Sequence, residues 1–126
     1  MPGGQRRKTG PCRQRKRRGM RLILRPSLLL MLAEKEAHGY ELYEELSSLG
    51  FDPDYLDSSI LYRDLRDMEE MGLIGSNWDE EESKGPKRRV YHILDEGMIC
   101  LGEWIENLTH IQDQISQITN RYQKTI

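Results

Sequence analysis

Leu101, Trp104, Leu108, Ile111, Ile115, Ile118 and Tyr122 follow one another at spacings of three and four without a break. Only a helix brings such positions onto one side, and a seam that repeats every seven residues needs a second helix to cover it. The whole chain has 126 residues, enough for one domain with an appendage. A body of that size cannot cover the seam by itself, so the economical partner is a second copy across a two-fold axis. These seven residues are the candidate dimerisation set, carried by a C-terminal helix over residues 95–126.

The opposite end has the opposite character. Residues 1–25 hold ten basic residues and no acid, while all 28 Leu, Ile, Val and Phe lie from Leu22 onward. The net charge of −2 therefore hides a basic arm on a body with nine basic and 21 acidic residues. Residues 1–21 have nothing to bury against the entropy of ordering and are expected to be a disordered arm. Cys12 and Cys100 come with no Cys-x-x-Cys pair or histidine cluster, so no disulfide framework, metal site or cofactor is expected, and the default compartment is a reducing cytoplasm. Arg25 and Pro26 interrupt the apolar run after the basic start, which argues against a signal peptide. The longest apolar run, Leu28 to Ala33, is far too short to cross a bilayer.

Residues 22–94 make the body. Pro26 suits the first turn of a helix, and Leu28 to Leu32 then run apolar on nearly every side, as in a buried helix. After a polar joint, His38-Gly39-Tyr40 leads into a second helix with Leu42, Leu46 and Leu49 on one face and Gly50 as its cap. Asp57 or Ser58 caps a third helix that stops at Gly72, with Leu73 placed for the apolar contact that follows a glycine cap. Leu61, Leu65 and Met68 form its core stripe; Ser59, Tyr62, Arg63 and Arg66 form another stripe on a different side. Leu73–Trp78 and Arg88–Ile93 have strand character and flank the charged segment 79–87, which predicts a two-stranded hairpin.

The fold class is thus mostly α with a small β-hairpin: three helices and a hairpin in the order of a winged helix-turn-helix, followed by the long dimerisation helix. In that architecture the third helix enters the major groove of double-stranded DNA and the wing touches the adjacent backbone. Arg63 and Arg66 can donate to guanine edges or phosphates, Ser58 and Ser59 stand near a helix N-terminus, and Tyr62 offers a ring and a hydroxyl. Lys84, Lys87, Arg88 and Arg89 put cations around the wing. Each has a plainer reading. Arg63 and Arg66 sit among Asp64, Asp67, Glu69 and Glu70 and could pair along a solvated face; Lys87 to Arg89 could be edge-strand charges that discourage aggregation. Tyr40 could pack with its ring or reach a phosphate. His38 reads as a turn residue, Trp78 as hairpin packing and Cys100 as a small apolar residue. Trp104 reads as seam packing, although an indole at a two-fold interface can hold open an apolar, ligand-binding cavity.

Several segments together are familiar. Pro26-Ser27-Leu28-Leu29-Leu30-Met31-Leu32-Ala33, His38-Gly39-Tyr40-Glu41-Leu42, Leu61-Tyr62-Arg63-Asp64-Leu65-Arg66-Asp67-Met68-Glu69-Glu70-Met71-Gly72-Leu73-Ile74 and Gly85-Pro86-Lys87-Arg88-Arg89-Val90-Tyr91, with Glu96-Gly97 and Trp104, closely resemble the PadR family of transcriptional regulators over about residues 22–122. The resemblance implies a dimeric winged-helix protein that binds DNA, usually a repressor, released in some members by a small, often aromatic effector. By position, it assigns Tyr40, Ser59, Tyr62 and Arg63 to DNA, Lys87 to Arg89 to the wing, and the helix of Trp104 to the dimer. Leu94 stands where many members have threonine before the last helix, leaving Asp95 to cap it, and Asp57-Ser58-Ser59 replaces the usual glycine or proline at the recognition-helix start. The basic arm is outside the shared pattern.

No nucleophile with a base, phosphate loop or paired-acid site stands at a readable spacing, so an enzyme is not expected. The rival readings are a dimeric ligand-binding or protein-interaction adaptor that has kept the fold without the DNA contacts, and a non-specific nucleic-acid binder driven by the arm.

Overall fold

The computed structural model describes residues 11–79 and 88–126, with side chains from Leu22 onward. Four helices and three short strands follow in the order α1 (Pro11–Glu34), β1 (Ala37–His38), α2 (Gly39–Ser48), α3 (Ser58–Glu70), β2 (Ile74–Trp78), β3 (Arg89–Ile93) and α4 (Asp95–Thr125).

α1 corrects the expected start at Pro26. The helix begins at Pro11 and Pro26 lies inside it, so residues 11–21, expected to lack structure, have helical backbone; residues 1–10 of the expected arm lie outside the described residues. Pro26 has no N–H for the Leu22 carbonyl, while at the next position Ser27 Oγ donates to the Ile23 carbonyl at 2.7 Å. Leu24, Leu28, Leu29, Met31 and Leu32 are buried, but Leu30 faces solvent, so the helix is not apolar-covered on every side.

Two glycine caps set the turns on either side of α3. Gly50 and Gly72 have φ of 91° and 81°, a region open to glycine at no steric cost. In each, the residue after the glycine reaches back five positions: Phe51 N–H to the Leu46 carbonyl at 3.2 Å and Leu73 N–H to the Met68 carbonyl at 3.0 Å. Both pairs are buried, the apolar contact that accompanies this cap. Leu49, expected on the buried face with Leu42 and Leu46, instead ends α2 and is exposed.

β2 and β3 pair antiparallel from Ile74↔Ile93 to Trp78↔Arg89. β1 adds a third strand that the expected hairpin lacked, antiparallel to β3 through Ala37↔Tyr91 and His38↔Val90. The sheet order is β1-β3-β2, so the wing is stitched to the chain entering α2. The core gathers Leu24, Leu28, Leu29, Leu42, Leu46, Leu61, Leu65, Met68 and Ile74 between the helices and this sheet, and α1 packs on both α4 and β3.

Leu94 holds the N-cap position of α4 with no side-chain cap bond. Asp95, expected to cap, stands in the first turn with Glu96, where its charge favours the helix dipole. Along the seam, Leu101 is buried and Trp104, Leu108 and Ile111 are partly covered, whereas Ile115, Ile118 and Tyr122 are exposed. Among the described residues, no helix is long and apolar enough to cross a membrane.

Candidate nucleic-acid interface

α3 owes its aim to its two faces. Leu61, Leu65 and Met68 are fully buried, which turns Ser59, Tyr62, Arg63 and Arg66 outward, all four exposed. Three of the four acidic residues interleaved with the arginines have other partners. Arg25 of α1 donates from Nε and Nη2 to Asp64 Oδ1 at 3.2 and 3.1 Å and from Nη2 to Asp67 Oδ2 at 3.0 Å. Ser76 Oγ donates to Glu69 Oε2 at 2.8 Å and accepts from Arg89 Nη1. Among the described residues no hydrogen bond or ion pair joins Arg63 or Arg66 to an acid, so the solvated-pair reading of that face does not describe this geometry.

The start of α3 differs from the phosphate-binding reading. Asp57 caps it, accepting from the Ile60 N–H at 3.0 Å and from Ser59 Oγ at 2.6 Å. Those bonds, the Ser59 hydroxyl first, hold the Asp57 carboxyl below its ordinary value. A carboxylate thus occupies the helix N-terminus, and the Ser59 hydroxyl proton is committed to it; Ser58 is exposed beside them.

Tyr62 and Arg66 of α3 face Arg89 and Tyr91 of β3 across an open groove of about 450 Å³ that Glu69 and Glu70 also line. Arg89 lies with its guanidinium carbon 4.8 Å from the centre of the Trp78 ring, a cation–π contact on an indole that is itself exposed rather than packed in the hairpin. Tyr91 is a member the sequence reading missed, since its position on a short strand reads as core; burial pushes its phenol up. Arg88 is exposed just before β3. Lys84 and Lys87 lie outside the described residues. Tyr40 is exposed, so its ring does not pack in the core; its hydroxyl donates to Glu44 Oε2 at 2.9 Å, and that bond is the first cause of a raised phenol pKa.

His38-Gly39 carries two further features. A Cβ on Gly39 would come 2.4 Å from Tyr62 Cε1, so glycine here lets the Tyr62 ring lie over the start of α2. His38, read from sequence as a turn residue, bridges two elements: Nδ1 is 2.9 Å from Glu41 Oε1 and Nε2 is 2.9 Å from Asp79 Oδ2 at the end of the wing strand. Carboxylates only accept, so both ring nitrogens donate when the imidazole is charged. The bond to Glu41 is the main cause of a raised His38 pKa, helped by Asp79 and opposed by burial and Arg88. A raised value in the folded state means that this stabilisation is complete below the unfolded value of 6.5 and is lost as pH rises through the folded one. Urea unfolding should accordingly show wild-type stability declining above pH 6.5 by a component that His38→Gln lacks; parallel pH profiles would show that the His38 bridge to Glu41 and Asp79 adds no stability.

The Cys100 thiol is pushed up by burial, with Glu103 adding to it, in keeping with an unreactive packing role. Among the described residues no group of three or more His, Cys, Asp or Glu could hold a metal ion.

A family model described as "Transcriptional regulator PadR-like family" matches residues 28–103. A solved PadR-like transcriptional regulator from Bacillus cereus is 27% identical over 79% of this chain and 93% of its own, with a TM-score of 0.68. A PadR family transcriptional regulator from Eggerthella lenta is 29% identical over 81% of this chain and 83% of its own, with a TM-score of 0.61. A conserved protein described as a potential transcriptional factor is 33% identical over 81% of this chain and 89% of its own, with a TM-score of 0.68. No curated protein matches the chain.

Proposed function

Because the chain belongs to the PadR-like family of transcriptional regulators, we propose that it is a cytoplasmic homodimer that binds double-stranded DNA sequence-specifically and acts as a repressor. The observation that carries this reading is the outward face of α3: Tyr62, Arg63 and Arg66 are exposed, while Asp64 and Asp67 beside them are bonded to Arg25 of α1. Arg63 and Arg66 read bases or phosphates in the major groove, and Arg89 with Arg88 follows the backbone from the wing. The uncovered part of the seam, Ile115, Ile118 and Tyr122, is buried against the partner's α4. Two recognition helices then address half-sites about one helical turn apart, roughly 34 to 36 Å.

Release by a small aromatic effector has one structural support. A groove of about 230 Å³ between α1 and α4 is lined by Trp104 with Leu22, Arg25, Pro26, Asn107 and Leu108. The indole there offers a stacking face.

The test is fluorescence anisotropy on the DNA upstream of this gene beside a scrambled duplex, across a salt series. A preference that persists at physiological salt supports the reading; equal binding that salt erases refutes it and leaves arm electrostatics. Specific binding that survives removal of residues 1–18 separates it from the arm-driven rival, and no duplex binding at all supports an adaptor. That deletion should weaken every sequence alike and flatten the salt slope, since arm charges contact phosphates only. Arg63→Ala should cost about 1–3 kcal/mol on the preferred duplex and relax preference at one position. An equal loss on every duplex would show that Arg63 reads no base.

A further inference from the structure

Arg25 is the last of the ten basic residues at the N-terminal end, yet its guanidinium is not an arm charge. It leaves α1 and bridges Asp64 and Asp67 on α3 at 3.0 to 3.2 Å, with the two carboxylates one helical turn apart. We infer that Arg25 is a positioning residue for the recognition helix: by taking up Asp64 and Asp67 it keeps Arg63 unpaired and turned outward. The inference rests on the DNA-binding reading of α3 given above.

Helix spacing supplies the reason. Side chains three and four residues apart are neighbours on a helix, and opposite charges there pair. From Arg63 those positions are Ser59, Ile60, Arg66 and Asp67, so Asp67 is the one acid on α3 that can capture its guanidinium. Asp67 is partly exposed and stands beside solvent, free to swing if its partner on α1 is removed. Asp64 is more enclosed, its side chain 19% exposed, and left alone it would carry an uncompensated charge against Asp67. One forked cation satisfies both carboxylates because guanidinium presents several donors in a fixed plane, which a lysine ammonium does not. Two bonds a turn apart also hold α3 against rolling about its axis, so the face with Tyr62, Arg63 and Arg66 keeps its direction relative to α1. Removing Arg25 does two things to the DNA face: it frees a competing acid next to Arg63 and leaves the Asp64 and Asp67 carboxylates without their shared cation near the phosphates.

The experiment first selects a duplex from a random library with the wild-type protein, then measures its binding and that of a scrambled duplex by anisotropy for four variants. Arg25→Gln should lose about tenfold of the preference for the selected duplex. Adding Asp64→Asn and Asp67→Asn to it should restore the preference to within about threefold, because neutral amides neither capture Arg63 nor repel phosphate. Arg25→Lys should fall between, and Asp67→Asn should recover it; this pair keeps a cation at the site should Arg25→Gln unfold in a thermal melt. A purely structural role for Arg25 would not be rescued by removing its partners. Unchanged preference in Arg25→Gln, or a loss that the asparagines do not restore, overturns the inference while leaving the DNA reading intact. Failure of the wild type to enrich any sequence overturns both.

Discussion

Replacing Ile115 and Ile118 together by glutamate should leave a monomer of 14.8 kDa that binds a two-half-site duplex at least about a hundredfold more weakly than the wild type. Neither residue supports its own chain: Ile115 is 53% and Ile118 68% exposed, so the winged-helix body should keep its stability. In a two-fold seam each substitution acts twice. Four buried isoleucines at about 1.5–3 kcal/mol each are lost, and four carboxylates are forced together in an apolar interface where ionised groups are poorly tolerated. A monomer still presents one recognition helix, so its affinity for an isolated half-site should match the wild-type subunit's; what disappears is the gain from placing the second helix at once. Sedimentation equilibrium, far-UV circular dichroism and anisotropy on whole and half-site duplexes check the three parts. A variant that remains dimeric would move the interface off this seam, and a monomer with undiminished affinity would remove the two-fold site.

How much of this was legible in the sequence depends on the range of the signal. Gly72 with Leu73, the Asp57 cap and the Leu61, Leu65, Met68 stripe are local patterns whose physics closes within a few residues, and they appear where the spacing places them. β1 was not legible because two residues cannot show an alternation; its pairing with β3 is decided by the wing across the sheet. The start of α1 differs from the expectation because proline suits a first helical turn, whereas helix continues on both sides of Pro26. The candidate site was legible in its residue types and not in its bonds. Arg63 and Arg66 among four acids look like a paired surface until Arg25, 39 positions away from Asp64, takes up two of those acids. Ser59 looks like a phosphate ligand until its hydroxyl is found on Asp57, and His38 looks like punctuation until Asp79 is brought to its far nitrogen. The Arg25 and Asp79 contacts are long-range, which one-dimensional spacing does not encode, whereas the Ser59 bond is local and turns on which of two neighbouring groups the hydroxyl meets.

Gly97→Ala should destabilise the protein by about 3 kcal/mol, at the upper end for an overpacked site, and lower its melting temperature by on the order of 10 °C. The methyl group would stand 2.2 Å from the Leu73 carbonyl oxygen and 2.7 Å from Ile93 Cγ1. The first of these is backbone and cannot turn aside. That same oxygen accepts the Leu94 N–H at 2.9 Å, so shifting it breaks the bond that seats the start of α4 on the start of the wing. Gly97 is buried within α4, where alanine would otherwise be favoured by about 1 kcal/mol; steric closeness outweighs propensity here. Gly102, five residues along the same helix, has nothing within 4 Å of the corresponding position, and Gly102→Ala should be neutral or stabilising. Thermal melts of both variants at one protein concentration, fixed because self-association would make the melting temperature depend on it, supply the comparison. Opposite signs at two glycines of one helix follow from contact with the wing, and a Gly97→Ala melt at or above the wild type's would mean that α4 does not rest on the Leu73 carbonyl.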